Sequence, residues 1–357
     1  MDCDFLIIGG GVAGVSAAAA LAPMGKVVVW EAEDQLAYHA SARSAALYEP
    51  RYGKPAVVAL SLASEAAFQA SGTLTPRGLM LVAKAGEEAG LAQESAEMGL
   101  EPIPVDDAIR MVPILNPDVV VGTTYASHAW DIDTDRLIQS FVREARAKGA
   151  EITTGRRINA LTRSAGGWLA RSNTHEITAR IVINAAGAWV DHVAQMAGIA
   201  PLGFTPCRRS MARIPAPMGM NSGRWPMLMG VAESWYMKPD AGALIVSPSE
   251  ADPMEPHDAW PDDMVLAEGL ARYEEFVTEP VTRLLSSWAG LRTKSPDGSI
   301  VIGLAREGRD FYWLAGQSGQ GFQSSFGAAQ LLAELIAGHP PTVGQDITAQ
   351  ISPLRFA

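Results

Sequence analysis

Cysteine is nearly missing from this sequence: Cys3 and Cys207 are the only two in 357 residues. With no C-x-x-C pair and no His/Cys cluster, the composition argues against a disulfide framework or a structural zinc site, and no metal is expected. Positive charge is short as well. Lys and Arg number 28 against 39 Asp and Glu, a net charge of −11. Such a surface does not attract nucleic acid or anionic membrane, although Arg208-Arg209 is a local basic spot. No uninterrupted apolar run reaches the roughly 20 residues of a membrane span. The apolar N-terminus opens with Asp2 and Asp4 and lacks the basic stretch of a secretory signal. The expectation is a soluble, cytoplasmic chain long enough for two domains.

What is abundant is small residues at the start. Phe5-Leu6-Ile7-Ile8 leads into Gly9-Gly10-Gly11-Val12-Ala13-Gly14, an Ala-rich helical stretch follows, and Val27-Val28-Val29-Trp30 ends in Glu31. This pattern predicts a βαβ unit with G-x-G-x-x-G (Gly9, Gly11, Gly14) and an acid placed for ribose hydroxyls. Gly9 permits the tight turn, Gly11 the approach of a pyrophosphate, and Gly14 the close seating of helix on strand. The helix N-terminus offers N–H groups and a positive dipole end to phosphate. Glu31 would repel a 2′-phosphate, which disfavours an NADP-type ligand.

Further along, periodicity predicts helices over residues 55–71 and 86–99, one starting at Asp131–Asp135 and running to Lys148, and others over 264–276 and 324–336. Strands are expected at Leu79–Val82, Ile181–Asn184 and Phe311–Ala315, with proline-broken β-rich material over 102–130 and 206–288. Asp131, Asp133 and Asp135 read as helix-start acids rather than metal ligands. The Met-rich stretch Met211, Met218, Met220, Met227, Met229 reads as strand packing that partly lines an adaptable pocket. Nucleotide-type signals at the start, middle and end, with β-rich insertions between, imply an α/β chain: a discontinuous Rossmann-like domain (1–75, 131–204, 293–357) interleaved with an α+β substrate domain on an antiparallel or mixed sheet (76–130, 205–292). The active site is expected between them.

Four segments together resemble the FAD-dependent D-amino-acid oxidase/dehydrogenase superfamily: the βαβ unit, Arg43-Ser44-Ala45-Ala46, Asn184-Ala185-Ala186-Gly187-Ala188-Trp189, and Gly316 through Gln323. Within it the chain is most similar to bacterial D-arginine dehydrogenase-like proteins. The shared stretches are Arg208-Arg209-Ser210, Trp225-Pro226-Met227-Leu228, Tyr236 through Gly242, and Trp288-Ala289-Gly290-Leu291-Arg292. The resemblance implies a noncovalent FAD, because the tethering cysteine of some relatives has no counterpart in the C-terminal third. It also implies hydride transfer from the substrate Cα to flavin N5, giving an imino acid that hydrolyses to a 2-oxo acid and ammonia. The electron acceptor is unassigned. For FAD it points to Gly9, Gly11, Gly14, Glu31, Ala32, Ser41, Arg43, Ser44, Ala45, Ala46, Ala186, Gly187, Trp189, Gly316, Ser318, Gly321, Phe322 and Gln323.

For the substrate it points to Arg292 and Arg209, whose planar guanidinium forks match a carboxylate, with Arg208 as the competitor for Arg209. Tyr236 and Tyr52 are expected to line the site, and Gly319 and Gln320 to complete it with backbone N–H groups aimed at the flavin. Tyr48 is a further possible wall, Glu233 a possible amine or water ligand, and His39 a structural or flavin-loop residue. Two positions depart from the family pattern. A family histidine aligns with Leu47, and the acid that holds a guanidinium aligns with Leu79. Leucine cannot pair a cation, so neutral or apolar D-amino acids are expected over D-arginine and D-lysine, unless Glu49 supplies the charge. Oxidation of glycine, sarcosine or another N-alkyl amino acid is the alternative. A noncatalytic flavin-bearing subunit is the alternative of another class.

Overall fold

The computed structural model describes residues 1–356. Its first sheet is built on the strand Cys3–Ile8, whose side chains are buried on both faces, as a central parallel strand requires. Phe5 and Ile7 face one core with the helices Val12–Leu21, Thr134–Ala147 and Ser325–Ala337. Leu6 and Ile8 face the other, with Val190 and Val193 of the helix Val190–Met196. On one side Cys3–Ile8 pairs in parallel with Val27–Trp30, which in turn pairs with Glu151–Thr153. On the other it pairs with Glu176–Asn184. That nine-residue strand changes neighbour along its length: its first half pairs with the antiparallel Gly167–Ser172, its last three residues with the parallel Phe311–Ala315. Val301–Leu304 then closes the far edge against Phe311–Ala315.

The second sheet takes its strands from residues 79–126 and 205–294. Thr205–Pro215 pairs from Thr205 to Arg213 with Ser286–Lys294, which crosses the expected 292/293 boundary, and its other edge meets Ala243–Ser247. Beyond lie Tyr236–Asp240, Met227–Gly230 and Leu79–Lys84. Alternation sorts the side chains of this sheet. Met80, Leu228, Met237, Val246 and Ala212 point into a core covered by the helix Asp263–Glu275. Arg209, Tyr236, Met229, Met227 and Leu79 belong to the opposite face by register.

Leu47–Tyr48, Trp130–Ile132 and Leu74–Pro76 form a separate small sheet. Here the sequence reading of the three acids needs correction. Asp133 caps the helix Thr134–Ala147, accepting from Arg136 N, and Asp135 lies in its first turn. Asp131 instead sits in the strand Trp130–Ile132 and binds Arg77 and Lys238, the latter at 3.0 Å. Lys238 is buried, so losing its counter-charge is costly. Asp131→Asn is expected to destabilise the protein by about 2 kcal/mol, read from its urea midpoint. The helix expected over 55–71 is two helices, Pro55–Ala63 and Glu65–Ser71, which meet at Ser64. Three short helices, Val105–Met111, Val190–Met196 and Gln345–Ile351, had no clear periodic signal.

Candidate active site

Three cavities run end to end between the sheets. The first, about 300 Å³, is lined by Gly9, Gly11, Glu31, Ala32, Ser41, Arg43, Ala186, Gly187 and Trp189. The second, about 120 Å³, shares Gly11, Ser41, Arg43 and Gly187 with it and adds Ser44, Ser318, Gly321 and Phe322. The third, about 70 Å³, is reached past Ser44, Phe322, Arg209, Arg292 and Gly319, and adds Ala45, Ala46, Tyr52, Tyr236 and Gln323. The sequence's candidates thus converge on one trench, with Gly14, Gly316 and Gln320 outside its walls.

The exceptions have physical reasons. Gly14 seats the helix: a β-carbon there would overlap the Gly9 carbonyl oxygen. Gly316 is a turn glycine at φ +70°, with Phe204 against it. The Gln320 N–H is spent on the Gln317 carbonyl, as that of Ser318 is on Thr293; those two groups are not free to face a ligand. Arg43 lines the trench, but its guanidinium is committed to the Ala259 and Ala289 carbonyls at 2.8 Å and to Asp258. It fastens the turn Ala40–Arg43 to the strand Ser286–Lys294 and to the loop at Asp258–Ala259. Tyr48 is no wall of the site: it is fully buried and donates to the Ser61 carbonyl. His39 lies 3.2 Å from Glu33 and packs on Trp189 beside the first cavity.

The trench suits an extended dinucleotide. The helix Val12–Leu21 begins at Gly11 with no side-chain cap of its own, and Ser41 accepts from Val12 N. Gly11, whose missing side chain leaves room, lines both of the larger cavities. Glu31 braces the turn, accepting from Gly10 N at 2.5 Å and Glu33 N at 2.8 Å. Each carboxylate oxygen retains a further lone pair for a ribose hydroxyl. A family model described as "FAD dependent oxidoreductase" (DAO) matches residues 4–335.

The chain belongs to this family. As an FAD-dependent oxidoreductase it resembles the hydrogen cyanide synthase subunit HcnC of Pseudomonas aeruginosa, at 24% identity over 219 residues. That match covers 59% of this chain and 50% of HcnC, so the chain spans about half the length of that relative. Among solved structures, L-proline dehydrogenase from P. horikoshii superimposes with a TM-score of 0.84 at 21% identity, covering 99% of this chain and 98% of that one. Glycine oxidase from Geobacillus kaustophilus gives 0.82 at 20% identity, with 95% and 96% coverage. These likenesses establish the fold. Among the described residues, no helix of the oxidoreductase is long and apolar enough to cross a membrane.

The smallest cavity is lined by two arginines and two carboxylates, Arg209, Arg292, Glu49 and Glu233. Thr205–Pro215 and Ser286–Lys294 place Arg209 opposite Gly290 and Arg292 opposite Cys207, so the two arginines are diagonal neighbours on one face. Arg208, one residue along, points to the other face and pairs with Asp252 at 2.8 Å. Strand parity therefore separates two residues that the sequence left in competition. Arg209 is 6% exposed and donates to the Glu250 carbonyl and Ser249 hydroxyl. Burial, and secondarily the adjacent Arg292 charge, push it down to about 10, so it stays protonated at neutral pH. Arg292 donates to the Tyr236 hydroxyl at 3.4 Å.

Glu233 stands 3.9 Å from Arg209; burial raises its pKa against the pull of Arg292 and Lys294. Leu79, Met227, Met229 and Leu47 supply the apolar wall. Both thiols are buried, and burial pushes Cys3 up to about 12 and raises Cys207. Sequence reasoning missed Gly290, Leu291 and Thr293 in the second cavity; being neighbours of Arg292 was their one signal.

Proposed function

We propose that this oxidoreductase oxidises a small, neutral α-amino acid at its Cα–N bond, the D-enantiomer being the substrate, to an imino acid that water converts to a 2-oxo acid and ammonia. The pairing of two cationic side chains on one wall of a small cavity, opposite the apolar Leu47, Leu79, Met227 and Met229, carries the reading. Two guanidinium groups side by side, Arg209 buried and Arg292 half-buried, repel one another, and a substrate carboxylate relieves that repulsion while meeting a planar fork of donors. Tyr236 adds its hydroxyl at the same end. Leu79, Met227 and Met229 exclude water from the substituent on Cα. FAD held along the trench supplies the two-electron acceptor.

Leu79 offers no charge to a cationic side chain, and burying one unpaired is costly. D-alanine is therefore expected to bleach the flavin anaerobically with a kcat/KM at least about a hundredfold above that of D-lysine, an energy gap of roughly 3 kcal/mol. Equal rates would sink the neutral-substrate reading and assign the lysine ammonium to a carboxylate in the wall. A second reading, an N-alkyl or unsubstituted glycine, is favoured by the volume of about 70 Å³. Bleaching by sarcosine or glycine, with neither enantiomer of alanine active, would select it.

A further inference from the structure

One carboxylate in the third cavity has no part in the carboxylate clamp. Glu49 follows the strand Leu47–Tyr48, lines the cavity, and is 2% exposed. Its Oε1 accepts from Arg51 N at 3.1 Å and lies 3.2 Å from His128 Nε2. Its Oε2, equally buried, has no hydrogen-bond partner. A buried carboxylate oxygen left unpaired is expensive, and the open cavity beside it is where a partner would come from. His128 leads the other way. Its Nε2, 3.2 Å from Glu49 Oε1, is as buried as Glu49 Oε2 and likewise makes no hydrogen bond, while the side chain as a whole is 29% exposed.

We propose that Glu49 is a catalytic base, taking the ammonium proton of the bound amino acid, and that His128 passes this proton to solvent. This rests on the amino-acid reading above. With the substrate carboxylate at Arg209 and Arg292, a cavity of about 70 Å³ keeps every other substrate atom close to Cα. The one cation that a neutral-side-chain amino acid brings there is its ammonium group. In the step, an ammonium N–H bond breaks, its electron pair stays on nitrogen, and the proton ends on Glu49. The freed lone pair is what C=N formation requires. Glu49 then donates to His128, which releases a proton to water, and the carboxylate is restored.

The surrounding charges suit the task. Burial lifts Glu49 to about 7, overcoming the Arg51 guanidinium and the Arg51 N–H that both pull it down. That places the base near neutral pH, where proton transfer is most effective. His128 is held below its usual value by partial burial and by Arg51, so at pH 7 it is neutral and able to accept. The other titratable groups of the cavity are Tyr52, Arg209, Glu233, Tyr236 and Arg292. Of these, Glu233 alone could compete as a carboxylate base.

The test is the pH profile of anaerobic flavin bleaching by D-alanine, with sarcosine and glycine alongside, in the wild type and in Glu49→Gln, Glu233→Gln and His128→Asn. FAD content is followed in parallel. Glu49→Gln is expected to lower kcat/KM about a hundredfold at pH 7, the loss shrinking as the pH rises past the pKa of the substrate amine. His128→Asn should cost about tenfold with the same trend and slow proton release to an indicator dye; it carries the test if Glu49→Gln fails to retain FAD. A Glu49→Gln profile parallel to wild type, or an acid limb moved by Glu233→Gln alone, overturns the assignment and leaves the amino-acid reading intact. A wild type that no amino acid bleaches overturns both.

Discussion

Arg292→Met is expected to yield a protein that still purifies yellow and whose kcat/KM for any amino acid falls by more than a hundredfold. Arg292 lies diagonally from Arg209 on the cavity face of the second sheet and touches Tyr236. Methionine keeps the length of the stem and removes the donors. Truncating one side of a buried charge pair costs about 2–5 kcal/mol, and about 3 kcal/mol already exceeds a hundredfold. Most of the change should appear in KM, because a carboxylate held equally in ground and transition states is uniform binding. Arg209, protonated at neutral pH with or without that neighbour, still offers the carboxylate one fork. Steady-state kinetics with several amino acids, beside the absorbance of bound FAD, checks this. Unchanged kinetics would remove Arg292 from the carboxylate site.

Gly14→Ala is expected to do the reverse, leaving the substrate wall intact and emptying the trench. A β-carbon at Gly14 meets the carbonyl oxygen of Gly9, part of the glycine turn that lines the first cavity. That turn cannot retreat: Gly9 is at φ +109°, with the Ala185 carbonyl against the position a side chain would take. Overpacking of this kind costs about 1–3 kcal/mol, spent here on the backbone expected to present N–H groups to the dinucleotide. FAD affinity should drop about 10- to 100-fold at that cost, measured by fluorescence of released flavin. Gly338→Ala is the control. Gly338 ends the helix Ser325–Ala337 at φ +69° with open space around it, so alanine there costs about 1 kcal/mol in left-handed strain and leaves FAD content as it was.

Much of this architecture is legible from local signals. The glycine spacing, the apolar strand before it and Glu31 after it depend on residues near one another in sequence, and the trench forms where they indicate. Arg43 was legible as a residue of the site but not in its role, because its partners Asp258, Ala259 and Ala289 lie more than 200 residues away. Asp131 was misread for a similar reason. Three acids before a helix look alike until a distant Lys238 selects one of them. The choice between Arg208 and Arg209 needed only the knowledge that adjacent strand residues face opposite ways. Glu49 and His128 show no shared motif; the 3.2 Å between them arises because neighbouring chain segments end together beside the small sheet.

The change of partner along Glu176–Asn184 has a consequence for how the chain reaches this state. The last three residues of that strand find their parallel neighbour only at Phe311–Ala315, and its other edge belongs to Cys3–Ile8. Pairings this far apart in sequence are slow to form, since a long loop must be ordered before any contact repays it. During synthesis the nucleotide sheet therefore waits, with one flank of its middle strand uncovered, until residue 315 has left the ribosome. The second sheet also waits, as Thr205–Pro215 gains its longest pairing only with Ser286–Lys294. Both sheets thus complete only once residues 286–315 have been made, so a truncation before that point leaves open strand edges prone to self-association.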